Sequence, residues 1–389
     1  MPSLTRSRNS VAVTFALNGF LFATLVSRLP DVRSALDLSN GRLGLLLLAI
    51  SAGSVLALPS SGRLIDRWSA ASVVRLAGAL SAAGLVTAAL GAGVAESAVP
   101  TAVGFFVYGL GIGVWDVAMN VEAAEVERRL DRTIMPRFHA GWSFGSIAGA
   151  GVGIPMAAAS VPLLVHIGTL SVLGAAALTV ATRAFLPSAP PEPSTERPVS
   201  AWREPRTLAI GVMVLSFAVV EGSANDWLSL ALIDGYDVRH WVGVAGFSAF
   251  VCAMTVGRLL GPLLLDRFGR APVLWGTAAA SALGIVLVVA GGHPVPVVAG
   301  IVIWGLGASL GFPVGMSAAA DDPVRAAARV SVVSTIGYTA FLAGPPLLGQ
   351  LGDRVGTLDA LLAVAVLMVP AALTVFAARP ARVAPSAVF

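Results

Sequence analysis

The sequence predicts an all-α membrane protein with twelve transmembrane helices in two six-helix halves. Three observations predict it. The composition leaves too little charge to cover a soluble surface, apolar runs long enough to cross a bilayer recur along the chain, and one segment repeats half a chain later.

Of the 389 residues, 56% are hydrophobic and 12% charged, with a mean hydropathy of +0.84. A soluble globular protein carries about 25% charged residues, so the simplest solvent for this chain is lipid. The net charge of +4 comes with no lysine at all, every cationic side chain being arginine. The arginines sit in short clusters between apolar runs, without the interleaved aromatics of a nucleic-acid stripe, so no nucleic-acid partner is expected. A single cysteine, Cys252, rules out a disulfide framework or a CxxC metal pair. The opening "TRSRNS" and the apolar run after it imitate a secretory signal. No A-x-A-like cleavage site follows, so a first membrane helix is expected there.

A membrane helix needs about 20 mainly apolar residues. The first half, 1–186, offers spans near 11–30, 42–61, 73–94, 99–121, 138–160 and 163–186. Residues 187–206, "PSAPPEPSTERPVSAWREPR", are rich in proline, serine and alternating charge and suit a flexible cytoplasmic linker. The second half, 207–389, offers spans near 207–232, 241–264, 272–291, 295–317, 329–350 and 359–378.

Arginine placement tests this layout. With both termini cytoplasmic, twenty arginines fall to the inside, Arg258 among them, and five to the outside: Arg28, Arg33, Arg42, Arg239 and Arg354. That is a positive-inside signature, so a cytoplasmic (inner) membrane is expected, and the chain is expected to be a monomer. The repeat is equally direct. "LIDRWSAASVV" at 64–74 aligns without gaps to "LLDRFGRAPVL" at 264–274, each after the second span of its half. Two halves related by a parallel repeat are a known transporter architecture.

The repeated segment resembles the loop signature of the major facilitator superfamily, G-x-L-x-D-R-x-G-R-[KR]. It reads "GRLIDRWSAAS" from Gly62 and "GPLLLDRFGRAP" from Gly261, and the resemblance extends over nearly the whole chain. Ser69 and Ala70 depart from the usual glycine and basic residue in the first copy. The resemblance implies the major facilitator fold. It also implies a cytoplasmic gate at Gly62, Arg63, Asp66 and Arg67, and at Asp266, Arg267, Gly269 and Arg270. Within the superfamily the chain looks most like the fucose–proton symporter and its sugar-permease-like relatives. "GLGIGVWDVAMN", "FHAGWSFGSIAG" and "EGSANDWLSL" carry that likeness.

Asp116 lies inside the fourth span, where an acidic side chain costs about 2.5–3.5 kcal/mol at the helix centre. Gly109, Gly113, Asp116 and Asn120 follow a +4, +3, +4 rhythm and so share one stripe. Glycines on that stripe let a neighbour or a solute approach. By resemblance to the fucose symporter, Asp116 binds the proton, the substrate, or both in alternation, beside Asn120. The competing reading is a structural ion pair with a neighbouring arginine. The symporter's second carboxylate, in its first span, has no counterpart at 11–29, which offers Asn18 in its middle and Arg28 near its outer end.

The seventh span supplies a carboxylate instead: Glu221, with Asn225 one turn later on the same face. Glu221 and Asp116, one from each half, are expected to face each other across a central cavity and to share proton coupling. The alternative for Glu221 is a hydrogen bond that only packs helices. In the fifth span His139, Trp142 and Ser146 share a face suited to a sugar ring, while Gly141, Gly145 and Gly149 form a close-packing ridge. His139 is either a cavity wall or an interfacial residue. Arg28 either snorkels to the outer surface or attracts an anionic solute.

No enzyme is expected. His139, His166, His240 and His293 show no metal-ligand spacing, no nucleophile elbow appears, and no cofactor is implied beyond a proton as coupling ion. "FLAGPPLLGQL" at 341–351 resembles an antiporter signature but lies in the eleventh span rather than the fifth. The expected function is proton-coupled transport of a small polar, sugar-like solute by alternating access. Its rivals are a proton antiporter exporting a drug-like or biosynthetic product, and a transport-dead membrane sensor.

Overall fold

The computed structural model describes residues 3–38, 40–187 and 200–380, and every regular element among them is helical. Most of the expected linker, 188–199 with Arg197, lies outside the described residues, as do 381–389 with Arg382. The first half runs α1 (Leu4–Val26), α2 (Asn40–Trp68), α3 (Ala70–Gly93), α4 (Ala98–Leu130), α5 (Met135–Ala158) and α6 (Leu164–Ala184). The second half runs α7 (Pro205–Tyr236), α8 (His240–Phe268), α9 (Arg270–Ala290), α10 (Pro294–Ala319), α11 (Ala326–Val355) and α12 (Thr357–Ala378). A short helix, Leu29–Ala35, follows α1.

Local chemistry sets these boundaries. Proline stands in the first turn of α5, α7 and α10, where its missing N–H is no loss. Asp131 and Asp237, at φ 49° and 50°, end α4 and α7 in the left-handed conformation that stops a helix. Among the described residues, eleven helices are long and apolar enough to cross a membrane. The twelfth, α5, matches them in length at 24 residues, but its glycines, serines and His139 make it less apolar.

Within the halves α1 packs along α5, α4 along α2 and α3, α7 along α11, and α10 along α8 and α9. Across the halves α2 meets α11 and α5 meets α8. The sequence repeat is visible in three dimensions. Gly84 and Gly104 bring the backbones of α3 and α4 together, and Gly284 and Gly300 do the same for α9 and α10. Gly111 against Ser81 is matched by Gly307 against Ser281.

The turn of the loop signature explains its glycine. Gly269 holds φ +79° and Ser69, its partner in the first copy, holds φ +74°. Glycine reaches that region freely, whereas serine is strained there by about 1–3 kcal/mol. The Ser69 hydroxyl accepts a hydrogen bond from the Ser72 N–H at 3.4 Å, which caps the start of α3.

Two expectations need correcting. Arg258 does not belong to the cytoplasmic charge: it is buried inside α8 at 3% exposure. The tenth span is not continuous, because its helix breaks between Ala308 and Gly311.

Candidate functional site

On α4, Gly109 packs on the backbone of Ile50, and Gly113 would place a Cβ 3.1 Å from Ser54 Cα. The glycines of the stripe therefore admit α2, a neighbouring helix. Further along, Asp116 and Asn120 are buried. The Asp116 carboxyl lies beside the Tyr338 hydroxyl of α11, while its Oδ2 has no hydrogen-bond partner. An ion pair is not what holds Asp116: among the described residues no arginine pairs with it.

Asn120 donates from Nδ2 to the Asp116 carbonyl at 2.9 Å, and its Oδ1 lies 3.2 Å from His139 Nε2. His139 is buried between the rings of Phe15 and Phe312, with centroids 5.0 and 5.7 Å away. One turn on, Trp142 Nε1 donates to Asn18 Oδ1 at 2.9 Å and its ring lies 5.6 Å from Phe22. The Asn18 amide nitrogen is buried without a partner. The ridge of Gly141, Gly145 and Gly149 seats α5 on α1 at Ala12, Ala16 and Phe20. Thus α1, α4 and α5 deliver Asn18, Asp116, Asn120, His139 and Trp142 as one chain of neighbours.

Glu221 on α7 pairs with Arg258, whose Nη2 lies 2.9 Å from both carboxylate oxygens. The same guanidinium donates from Nη1 to Ser143 Oγ on α5 at 3.2 Å, and from Nε to the Ser309 carbonyl at 3.4 Å. That carbonyl is available because α10 breaks there, freeing an acceptor that an intact helix would use. Arg258 therefore ties Glu221 to the opposite half. Asn225 is exposed, and among the described residues no hydrogen bond joins it to this cluster.

Arg28 stands apart. It lies ten residues beyond Asn18, about 15 Å along a helix, and is 2% exposed. It contacts Asp31 at 2.7 Å, the Val161 carbonyl at 2.7 Å and His166 Nδ1 at 3.2 Å. It neither snorkels nor faces the mouth of a cavity; it fastens the end of α1 to the start of α6.

At the arginine-rich end, Arg63, Asp66 and Arg67 are exposed, as are Asp266 and Arg267. Among the described residues none of the five forms an ion pair, and Arg267 lies over the Phe268 ring at 5.2 Å. Two other contacts join the helices at this end. Gly62 meets α11 directly, a Cβ there falling 2.9 Å from the Ala327 carbonyl oxygen and 3.0 Å from Ala328 Cα. Arg270 pairs with Asp321 at 2.7 Å and donates to Ser317 Oγ at 2.8 Å. Ser317 in turn hydrogen-bonds Glu127 of α4. The other oxygen of Glu127 accepts from the N–H groups of Ile134 and Met135 at 2.7 and 2.6 Å, capping α5. Arg206 completes the line on Asp321 at 2.6 Å.

Tyr338, Arg258, Ser143, Phe312 and Glu127 are the residues that sequence reasoning missed. Arg258 alone carried a signal, since it lies inside the expected span 241–264 and an intramembrane acid calls for a partner.

A sequence profile of the Major Facilitator Superfamily matches residues 11–337. An uncharacterized MFS-type transporter of Yersinia pestis is 31% identical over 341 residues, 87% of each chain. Membrane protein MosC of Rhizobium meliloti is 28% identical over 91% of this chain and 85% of its own. Among solved structures, FucP in its outward conformation superposes with a TM-score of 0.80 at 14% identity, covering 95% of this chain and 97% of its own. The human organic anion transporter MFSD10 gives a TM-score of 0.77 at 16% identity, over 97% of this chain and all of its own.

Proposed function

The chain belongs to the major facilitator superfamily, and from that premise we propose that it is a proton-coupled secondary transporter. Its solute is small, polar and sugar-like, and it crosses the cytoplasmic membrane by alternating access, with both termini in the cytoplasm. One observation carries this reading: an acid from each half reaches the opposite half, the buried Asp116 beside Tyr338 and the half-buried Glu221 through Arg258 and Ser143. Solute sites in such transporters lie near the midplane, at the boundary between repeats.

Protonation changes both ties. A protonated Asp116 carboxyl becomes a donor as well as an acceptor, and a protonated Glu221 gives up its charge pair with Arg258. Either event alters how firmly the halves are held. The partnerless Asp116 Oδ2 and Asn18 Nδ2 supply an acceptor and a donor, a pattern that a polyhydroxylated solute satisfies, and Trp142 adds an aromatic face. The likeness to FucP, described elsewhere as a fucose:proton symporter, supports the same substrate class. The contacts that join Gly62 to Ala327 and Glu127 to Ser317 act as the gate on the arginine-rich side, which the charge bias places in the cytoplasm.

The test is the purified protein in proteoliposomes holding a trapped pH indicator, challenged with neutral sugars, organic acids and amphiphilic drugs. Sugar addition acidifies the lumen on this reading. Proton movement opposite to drug entry supports export instead, and no solute-driven proton movement with any class rejects the proposal.

A further inference from the structure

Away from the Asp116 cluster, a cavity of about 490 Å³ opens at the arginine-rich end of the first half, between α1, α5 and the turn joining α4 to α5. Its walls carry Arg8, Arg132 and Arg137 beside Leu130, Ile134 and Phe138. No carboxylate lines it. Glu125 is held by Arg128 and Arg129 at 2.7 and 2.6 Å, and Glu127 is spent on the N–H groups that begin α5. Among the described residues none of the three lining arginines forms an ion pair, and Arg8 is steered by the Asn9 side-chain oxygen at 3.0 Å.

Three guanidiniums around one cavity repel one another until an anion joins them, and their planar forks fit phosphate oxygens. The apolar part of the wall argues for a phosphate that carries hydrocarbon. Further along the same helices, Val13 on α1 and Phe144 and Ile147 on α5 are 46%, 53% and 58% exposed and offer apolar surface to lipid. We propose that this cavity holds the phosphate of an anionic phospholipid, with its acyl chains along the apolar faces of α1 and α5. Basic pockets between helices on the cytoplasmic side bind such headgroups in membrane proteins generally.

The full chain, delipidated in neutral detergent, is titrated with phosphatidylglycerol or phosphatidylcholine and followed by native mass spectrometry. Phosphatidylglycerol is retained and phosphatidylcholine is not. The double variant R132Q/R137Q weakens retention roughly thirtyfold, the effect of two arginines near an anionic headgroup, whereas R354Q, at the opposite end of α11, keeps it. Equal retention of the two lipids, or unchanged retention in R132Q/R137Q, overturns the proposal. Displacement by millimolar inorganic phosphate also overturns it, assigning the cavity to a soluble anion. Should the double variant misfold, thermal unfolding of the wild-type chain decides: stabilisation by phosphatidylglycerol alone supports the site, and equal stabilisation by both lipids rejects it.

Discussion

The Tyr338 hydroxyl on α11 lies beside the Asp116 carboxyl on α4, so the two halves meet at the level of the central acid. Glu221, the other acid of the cluster, is held by Arg258 at 2.9 Å.

Tyr338→Phe takes that hydroxyl away from Asp116. A hydrogen bond to a charged group is worth about 1.5–3 kcal/mol, so if the pair bonds during the transport cycle the variant is expected to slow solute uptake at least tenfold, with the protein still inserted. Combined with Asp116→Asn the losses are less than additive, because both changes remove one interaction. Strictly additive losses in a double-mutant cycle contradict the assignment.

Arg258→Met strands Glu221 and is expected to destabilise the protein by about 3–5 kcal/mol, the usual cost of breaking one side of a buried pair. The double change Glu221→Gln with Arg258→Gln recovers much of that stability, because no charge is left unpaired, yet transport stays lost. Thermal unfolding in detergent and uptake in vesicles read the two effects separately. A double variant no more stable than Arg258→Met argues against the pair.

Gly62→Leu drives a side chain into the backbone of Ala327 and Ala328. The arginine-rich end then fails to close, and uptake is abolished. Hydrogen exchange reads the opening, with faster exchange expected at Gly311–Ala319 and at the start of α11. Unchanged exchange there, with normal uptake, shows that the close approach at Gly62 is dispensable.

Glu204, just ahead of α7, carries a pH-dependent share of stability. Burial pushes its carboxyl pKa up, but hydrogen bonds from Thr207 and Arg329, with the charges of Arg329 and Arg325, outweigh burial and hold it below the ordinary range. A depressed folded-state pKa stabilises fully above the unfolded value of about 4.3, and the benefit fades as pH falls through the lower folded value. The melting-temperature gap between wild type and Glu204→Gln is therefore expected at pH 7 and closes toward pH 3. A gap that persists at pH 3 contradicts this.

The fold was legible because span length, arginine bias and the repeat are each written in continuous stretches of sequence. The stripe through Asp116 and Asn120 was legible too, since helical spacing puts both on one face, and the glycine ridge of α5 was readable for the same reason. What escaped depends on contacts between helices distant in the chain. Tyr338 sits among small and uncharged residues, "STIGYTAF", with no charged companion to mark it. Arg258 was absorbed into the charge count because one arginine near a span end resembles a topological anchor. Glu127 has no mark of its own in the sequence, and only the fold of the next turn shows it capping α5. Arg28 looked like a free cation because its partners, Val161 and His166, lie more than a hundred residues away, at the start of α6.

The glycine contacts that fuse α3 to α4, and α9 to α10, have a mechanical consequence. Where backbones touch directly, no side chain remains to repack, and each pair behaves as one stiff beam. Compliance is concentrated elsewhere, where glycines meet side chains. At the seam of α7 and α11, Gly211, Gly222 and Gly337 face the side chains of Ile336, Phe341 and Val214, and this seam is the spring of the frame.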